Sequence, residues 1–131
     1  MTKRILIVDD EFGIADIVAE ILSEHGFSTS IAINGRLALA SMAAQRPDLV
    51  LLDVMMPVLD GLGTLTAMRA DQALASVPVI MMTAMPEALP RDPTLYQAAL
   101  QKPFREEQLF AWIEKLLGGA DPVVFTTETQ R

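Results

Sequence analysis

The sequence predicts an α/β protein built on a doubly wound, five-stranded parallel sheet with helices on both faces. Short apolar runs, several of them rich in β-branched residues, alternate with helix-like segments along the chain. Continuous runs of this kind are typical of parallel strands that are buried on both faces. Strand–helix alternation implies right-handed crossovers, which bring the carboxyl ends of the strands to one edge of the sheet. Ligands bind at that edge in folds of this class.

The first three strands and helices follow regular patterns. Residues 5–8 form an apolar run that ends at two carboxylates. Gly26 and Pro47 mark the ends of the first two helices, because glycine favours a left-handed stop and proline cannot continue a helix. The predicted elements are a strand at 5–8, a helix carrying Ile14, Ile17, Ile21 and Leu22 at helical spacing, a strand at 28–33, a helix at 37–45, a strand at 49–52 and a helix at 61–73.

The second half of the chain is less regular. Residues 77–82 predict a fourth strand that ends at Thr83, and residues 97–101 predict a weak fifth strand that ends at Lys102. The segment between these strands contains three prolines, so the fourth helix is expected to be irregular or shortened. The last helix carries its apolar side chains on one face, namely Leu109, Trp112, Ile113, Leu116 and Leu117.

Length and composition indicate one domain. The chain has 131 residues, a formal net charge of −7, no cysteine and one histidine. We expect a domain at residues 1–118 followed by a polar tail at 119–131. The lack of cysteine excludes disulfides and thiolate metal sites, and the acidic balance argues against nucleic-acid or anionic-membrane partners. No apolar run is long enough for a membrane span and the start does not match a signal peptide, so we expect a cytoplasmic location.

Polar side chains at the strand ends predict a site for a phosphoryl group and a hard metal ion. Clustered carboxylates repel one another and favour a divalent cation that prefers oxygen ligands, such as Mg²⁺ or Mn²⁺. An ammonium and a hydroxyl group suit phosphoryl oxygens, and a carboxylate can itself become an aspartyl phosphate. The residues concerned are Asp9 and Asp10 after the first strand, Asp53 after the third, Thr83 after the fourth and Lys102 after the fifth.

Four segments of the sequence resemble the receiver domain of two-component response regulators. They are residues 7–11 (IVDDE), 52–61 (LDVMMPVLDG), 82–84 (MTA) and 102–104 (KPF). The resemblance covers roughly residues 3–118 and implies a flavodoxin-like fold with the strand order 2-1-3-4-5.

The resemblance also implies roles for individual residues. Asp53 would be the phospho-acceptor, and Thr83 and Lys102 would bind the phosphoryl oxygens. The peptide bond between Lys102 and Pro103 would be cis. The ligands of Mg²⁺ would be Asp9, Asp10, Asp53 and the backbone carbonyl of Met55.

The expected function is that of a phospho-accepting receiver in a two-component system or phosphorelay, not that of an enzyme. The phosphoryl group would come from a histidine kinase or a histidine phosphotransfer protein. It would change partner binding through the face formed by the fourth helix, the fifth strand and the last helix. Because too little of this sequence follows residue 117 to fold alone, either an output protein acts in trans or the sequence is a fragment of a longer regulator. The alternative is a receiver-fold interaction module that does not switch by phosphorylation.

One position departs from the pattern of the family. Receiver domains usually carry an aromatic residue three positions before the lysine of the fifth strand, where this sequence has Ala99. Tyr96 lies six residues before Lys102. Because this offset is even, in a regular strand Tyr96 faces the side of the sheet opposite to that of the usual aromatic residue. We therefore expect signalling through a mobile segment at 85–97 in place of a moving aromatic ring.

Several of these residues also have structural interpretations. Asp9 and Asp10 could be helix N-caps, and Asp60 is expected to be the N-cap of the third helix or a turn former. Five methionines near the predicted site, at positions 55, 56, 81, 82 and 85, are interpreted as core and loop packing. Met55 and Met85 also follow Asp53 and Thr83 by two residues, and because thioethers position water poorly, we expect slow loss of the phosphoryl group.

Overall fold

The computed structural model describes residues 2–118, which form a five-stranded parallel sheet in the order β2-β1-β3-β4-β5. The parallel pairing and this order confirm the predicted fold class. The predicted tail at 119–131 lies outside the described residues. The strands are β1 Arg4–Val8, β2 Ser28–Ala32, β3 Leu49–Asp53, β4 Val79–Thr83 and β5 Ala98–Gln101, and the helices are α1 Phe12–Glu24, α2 Gly35–Ala44, α3 Gly61–Ala70 and α4 Glu106–Leu117.

The apolar run of β1 explains why helices cover both faces of the sheet. Side chains alternate across a strand, so Ile5 and Ile7 enter the apolar cluster that includes α1 and α4. Leu6 and Val8 enter the opposite cluster, which includes α2 and α3. Every residue of β3 and β4 is buried. Full burial of one aliphatic side chain stabilises the folded state by about 1.5–3 kcal/mol. The buried central strands therefore hold the residues at their carboxyl ends in fixed positions.

Helix α1 buries a different face from the one that its isoleucines suggest. Ile14 and Ile17 are 41% and 59% exposed. Apolar residues cover more than one face of this helix, and the small alanines among them let it approach β1 and β2 closely. The spacing predicted the helix correctly, but two large apolar side chains remain at the surface. The buried residues of α1 are Ala15, Val18, Ala19 and Leu22.

No regular helix lies between β4 and β5 in the part of the chain that the structure describes. Two short 3₁₀ turns, Pro86–Ala88 and Pro93–Leu95, take its place. A proline begins each turn, where the N–H that it lacks is not needed. The prediction of an irregular or shortened fourth helix is therefore confirmed, and α4 occupies the place of the last predicted helix.

Arg69 ties this connection to the end of α3. Its Nε atom donates to the carbonyl oxygen of Leu95 at 2.8 Å, and its Nη1 atom donates to that of Val77 at 2.8 Å. Its Nη2 atom donates to Gln97 Oε1 at 3.2 Å, and the same oxygen accepts from the backbone N–H of Val79 at 2.7 Å. Burial lowers the pKa of Arg69, but a guanidinium stays charged. Charge-assisted bonds thus anchor the end of the connection that leads into β5.

The described residues end with α4 and its glycine stop. Gly118 has a φ of 72°, the left-handed conformation that glycine adopts without steric cost. Within residues 2–118, no helix has the length and apolar character that crossing a membrane requires.

Candidate functional site

Three carboxylates converge at the carboxyl edge of the sheet. Asp9 and Asp10 follow β1, and Asp53 ends β3, the neighbouring strand. One carboxylate oxygen from each residue lies within 4.8 Å of the other two. Asp9 and Asp53 are 1% and 7% exposed, whereas Asp10 faces solvent. The cluster is therefore largely desolvated but open on one side.

Asp9 and Asp10 are not the N-caps of α1. The N-cap residue is Glu11, whose side chain makes no capping hydrogen bond. The Oδ1 atom of Asp9 accepts from the backbone N–H of Glu11 at 2.9 Å. This bond orients the Asp9 carboxylate and leaves its second oxygen to face the strand ends.

Lys102 lies among these carboxylates. Its Nζ atom donates to Asp9 Oδ2 at 2.8 Å and lies 3.5 Å from both Asp53 Oδ1 and Glu11 Oε1. Its backbone N–H donates to the carbonyl oxygen of Thr83 at 2.8 Å, so the pairing of β4 with β5 continues up to this residue. The Lys102–Pro103 bond is cis, as the resemblance implies. Desolvation acts to lower the pKa of Lys102, but the hydrogen bond to Asp9 and the surrounding negative charges outweigh it and raise that pKa.

Burial and neighbouring charges raise the pKa of Asp53 to about 6. Desolvation is the largest cause, because it penalises the charged carboxylate. The ammonium of Lys102 lowers the pKa, while the charges of Asp9 and Asp10 raise it further. At neutral pH Asp53 is thus ionised, but its surroundings destabilise the negative charge and favour the binding of a cation or the loss of that charge.

The donor set fits a hard divalent cation. It consists of carboxylate oxygens from three residues, and the single ammonium of Lys102 offsets only part of their charge. Mg²⁺ typically takes one or two carboxylates and completes its shell with water and phosphate oxygens, and the exposure of Asp10 gives water access. Met55, whose carbonyl the resemblance implies as a ligand, lies in the loop directly after β3.

The hydroxyl group of Thr83 is engaged with the first residues of the connection to β5. Thr83 is buried at the end of β4, with 3% exposure. Its Oγ1 atom donates to the carbonyl oxygen of Met85 at 3.0 Å and accepts from the backbone N–H of Met85 at 2.9 Å. The carbonyl oxygen of Met85 also accepts from the N–H of Ala88 at 2.8 Å. Thr83 therefore holds the first 3₁₀ turn, and its hydroxyl must leave the Met85 carbonyl before it can donate to another group.

The loop after Asp53 is held against the sheet. The N–H of Val54 donates to the carbonyl oxygen of Met82 at 3.0 Å, and the N–H of Gly61 donates to that of Val54 at 2.8 Å. A side chain at Gly61 would collide with the carbonyl oxygen of Asp53 and come within 2.8 Å of the Val54 Cα atom. Only glycine permits this close approach, so Gly61 lets the loop lie against the end of β3. Asp60 caps α3 as predicted, because its side chain accepts from the N–H of Gly63.

Sequence reasoning missed the place of Glu11 in the site and the exposure of two methionines. Glu11 received no role, yet its carboxylate lies 3.5 Å from the Lys102 ammonium. The interpretation of the methionines as packing residues holds for the buried Met81 and Met82. It is wrong for Met55 and Met85, which are 60% and 46% exposed. Position within a buried strand gives a signal for the first pair, but nothing in a loop sequence fixes the exposure of the second.

The position of the missing aromatic residue is uncovered. Ala99 is exposed on β5, while Ala98 and Leu100 on either side of it are buried against the α1 and α4 cluster. Within the described part of the chain, the connection between β4 and β5 forms only short turns, so it places no helix over Ala99. Tyr96 packs, half-buried, against the opposite cluster.

An apolar groove lies beside the acidic cluster. It has a volume of about 560 Å³ and runs between α1 and the start of α4. The exposed side chains of Ile14 and Ile17 form one wall, and Pro103, Phe104 and Leu109 contribute to the other. Lys102 and Glu11 also line the groove, so it opens directly onto the charged site. A protein partner seated there would lie against the carboxyl edge of the sheet.

Comparison with known proteins identifies the family of this fold and site. The model of the response regulator receiver domain matches residues 5–114. The chain is 35% identical over 120 residues to the DNA-binding response regulator MtrA of Mycobacterium tuberculosis, which corresponds to 89% of this chain and 51% of that relative. The chain thus spans about half the length of the curated relatives that it matches.

Two solved structures are similar to this chain over most of its length. The signal receiver domain of a histidine kinase from Syntrophus aciditrophicus is 31% identical, with a TM-score of 0.80 over 92% of this chain and 93% of that one. The receiver domain of sensor histidine kinase PA1611 from Pseudomonas aeruginosa, described with a magnesium ion in its active-site cleft, is 28% identical, with a TM-score of 0.79 over 90% and 99%. The protein therefore belongs to the response regulator receiver domain family.

Proposed function

We propose that Asp53 accepts a phosphoryl group from a histidine kinase or a histidine phosphotransfer protein, in a reaction that needs Mg²⁺. The observation that carries this proposal is the cluster itself. A nearly buried carboxylate lies 3.5 Å from the Lys102 ammonium and has two further carboxylates within 4.8 Å. Phosphoryl transfer depends mainly on positioning and charge neutralisation, and this cluster supplies both.

The transfer step needs little covalent help from the protein. An oxygen of the Asp53 carboxylate attacks phosphorus, and the O–P bond forms as the N–P bond of the donor histidine breaks. The electron pair of that bond leaves with the imidazole nitrogen. Lys102, already 3.5 Å from Asp53 Oδ1, can pair with a phosphoryl oxygen. Mg²⁺ held by Asp9, Asp10, Asp53 and the Met55 carbonyl would neutralise the remaining phosphoryl charge.

The groove beside α1 supports a protein as the phosphoryl donor. Exposed apolar side chains that line one groove often mark an interaction site, and Ile14 and Ile17, which are 41% and 59% exposed, both line this groove. Because Lys102 lines the same groove, a helix of the donor seated there would bring its histidine to Asp53.

The response to phosphorylation would begin at Thr83. When its hydroxyl donates to a phosphoryl oxygen, the carbonyl oxygen of Met85 loses one of its two donors, Thr83 and Ala88. The segment 84–92 would then loosen, while Arg69 keeps the end near Leu95 in place. We expect hydrogen exchange to change in 85–92 on phosphorylation and to stay constant at 95–97. Unchanged exchange throughout 85–97 would contradict this route.

A receiver-fold interaction module that does not switch is the second candidate function. The observation that favours it is the uncovered Ala99, which leaves β5 without the aromatic side chain usual in the family. Such a module would bind its partner equally well in phosphorylated and unmodified forms. An output protein acting in trans, and the absence of a nucleic-acid partner, stay predictions, since relatives such as MtrA carry the description DNA-binding.

Phosphorylation by a small acyl-phosphate donor tests the proposal directly. The protein would be incubated with the donor in Mg²⁺ or in a chelator and measured by intact mass. We expect the gain of one phosphoryl group with Mg²⁺ only, and no gain in Asp53→Asn. The matched control is Asp60→Asn, whose carboxylate caps α3 away from the cluster and which should still be modified. No gain in the unsubstituted protein, under conditions that modify another receiver domain, would favour the module that does not switch.

A further inference from the structure

The methionines of the described residues differ widely in exposure. Met55 and Met85 are 60% and 46% exposed. Met56 lies half-buried against the cluster on the α3 side. The remaining four are almost completely buried: Met42 and Met82 are 2% exposed, and Met68 and Met81 are 0% exposed.

The two exposed methionines lie in the loops that follow Asp53 and Thr83 at the carboxyl edge of the sheet. Met55 follows Asp53 by two residues, and Met85 follows Thr83 by two. Strands β3 and β4 are neighbours, and their pairing extends past Asp53, because the N–H of Val54 donates to the carbonyl oxygen of Met82. The two loops therefore leave the sheet side by side. Both side chains are therefore exposed in loops that begin at the edge of the sheet carrying the acidic cluster.

A thioether at such a place can be oxidised. A peroxide transfers one oxygen atom to the sulfur, its O–O bond breaks, and the second oxygen leaves as water. The sulfur loses two electrons and the peroxide gains them. The product is a sulfoxide, which is polar and which reductases can return to the thioether. Exposure controls the rate of oxidation, so the two exposed methionines should be oxidised much faster than the four buried ones.

We propose that oxidation of Met55 and Met85 to sulfoxides shortens the lifetime of the phosphoryl group on Asp53. The inference rests on the proposed function. In the reduced state the exposed thioethers in these two loops bind water poorly. A sulfoxide oxygen is a strong hydrogen-bond acceptor and would hold water at the mouth of the site. Peroxide would thus reset the signal without unfolding the protein, because the buried methionines stay protected.

Peptide mass mapping after brief peroxide treatment tests the selectivity. Met55 and Met85 should gain oxygen first, and Met42, Met68, Met81 and Met82 should remain unmodified while the protein is folded. Treatment in denaturant provides the control, in which these methionines react alike. Equal reaction of exposed and buried methionines in the folded protein would overturn the proposal.

Decay of the phosphoryl group, followed by intact mass, tests the consequence. Oxidation should speed the decay about two- to tenfold, the value of one net hydrogen bond. The variant with Met55→Leu and Met85→Leu should decay at the same rate before and after treatment, whereas Met56→Leu should keep the sensitivity. The variant with Met55→Gln and Met85→Gln, a permanent polar substitute, should decay fast without oxidant.

The outcomes separate this inference from the proposed function. A protein that takes up no phosphoryl group before oxidation would overturn the proposed function and the inference with it. A protein that is phosphorylated normally, but whose decay does not change when Met55 and Met85 are oxidised, would overturn the inference alone. Reversal of the faster decay by methionine sulfoxide reductases would support it further.

Discussion

The two halves of the sheet supply the site with different groups and hold them by different means. Strands β1 and β3 provide the carboxylates, and a regular helix follows each of them. Strands β4 and β5 provide Thr83 and Lys102, and only two 3₁₀ turns connect them. Even so, Lys102 Nζ reaches Asp9 Oδ2 at 2.8 Å. The comparison teaches that the strand ends position the functional side chains even where no regular helix connects the strands. The connection between β4 and β5 is therefore the part of the site region whose conformation can change most easily.

The largest expected effect is a substitution at Gly61, which packs against the end of β3. In Gly61→Ala the new Cβ atom would collide with the backbone of Asp53 and Val54, which cannot move without disturbing β3. We expect a loss of about 2–3 kcal/mol in the free energy of unfolding, together with a strong decrease in phosphorylation. Urea unfolding measures the first and intact mass the second.

Gly13→Ala is the matched control for this change. Gly13 lies in α1, and a Cβ atom there meets nothing within 4 Å. Alanine in a helix is favoured over glycine by roughly 0.5–1 kcal/mol, so this variant should be slightly more stable than the unsubstituted protein. Equal destabilisation by both substitutions would contradict the role given to Gly61.

The second prediction removes the anchor of the other half. Arg69→Met takes the donor away from the carbonyl oxygens of Leu95 and Val77, and unpaired buried acceptors cost about 1–3 kcal/mol. Hydrogen exchange should rise at 93–97 and remain constant in β1 and β3. Arg46→Met is the control, because Arg46 is exposed and donates to Ala73 and Ser76 at the surface. Equal effects of the two variants would argue against a special anchor.

The third prediction concerns the charge of Asp53. Its pKa is 3.8 ordinarily and about 6 in the folded protein, so between these values the folded state binds more protons than the unfolded one. Stability should therefore fall as the pH rises through this window and stay low above it. In a chelator at pH 7, Asp53→Asn should raise the free energy of unfolding by about 1–3 kcal/mol. A less stable variant, or one with the same slope between about pH 4 and 6, would contradict the unfavourable charge.

The smallest expected effect concerns the uncovered face of β5. Ala99→Phe would add a ring at an exposed position of β5, so the free energy of unfolding should change by less than about 0.5 kcal/mol. Hydrogen exchange at 85–92 on phosphorylation should also stay as in the unsubstituted protein. A large gain in stability would show that the ring is buried in a pocket. The β4–β5 half of the sheet would then be packed as closely as the β1–β3 half.

The fold was predictable because its strands are continuous apolar runs. Residues 49–52, for example, predict a strand buried on both faces, and β3 is buried at every position. The polar residues at the strand ends were predictable for the same reason, since parallel strands bring those ends together. The three prolines likewise predicted the irregular connection between β4 and β5.

Other features depend on contacts that no local pattern encodes. The bonds of Arg69 go mostly to backbone carbonyl oxygens, which every residue possesses, so the sequence does not reveal them. The face that α1 buries was ambiguous because apolar residues surround much of the helix, and Ile14 and Ile17 are exposed as a result. The hydroxyl of Thr83 was correctly placed at the strand end, but its pairing with Met85 requires the turn geometry.

The short connection between β4 and β5 also matters for chain entropy and for engineering. Residues 84–97 close the loop between the two paired strands. Each doubling of a flexible loop costs only about 0.6 kcal/mol in closure entropy. A peptide of similar length inserted between Arg91 and Asp92, which are both exposed, would therefore cost less than a typical stabilising mutation restores. With its two ends held by Thr83 and Arg69, this junction offers a place for a reporter that reads the state of the site.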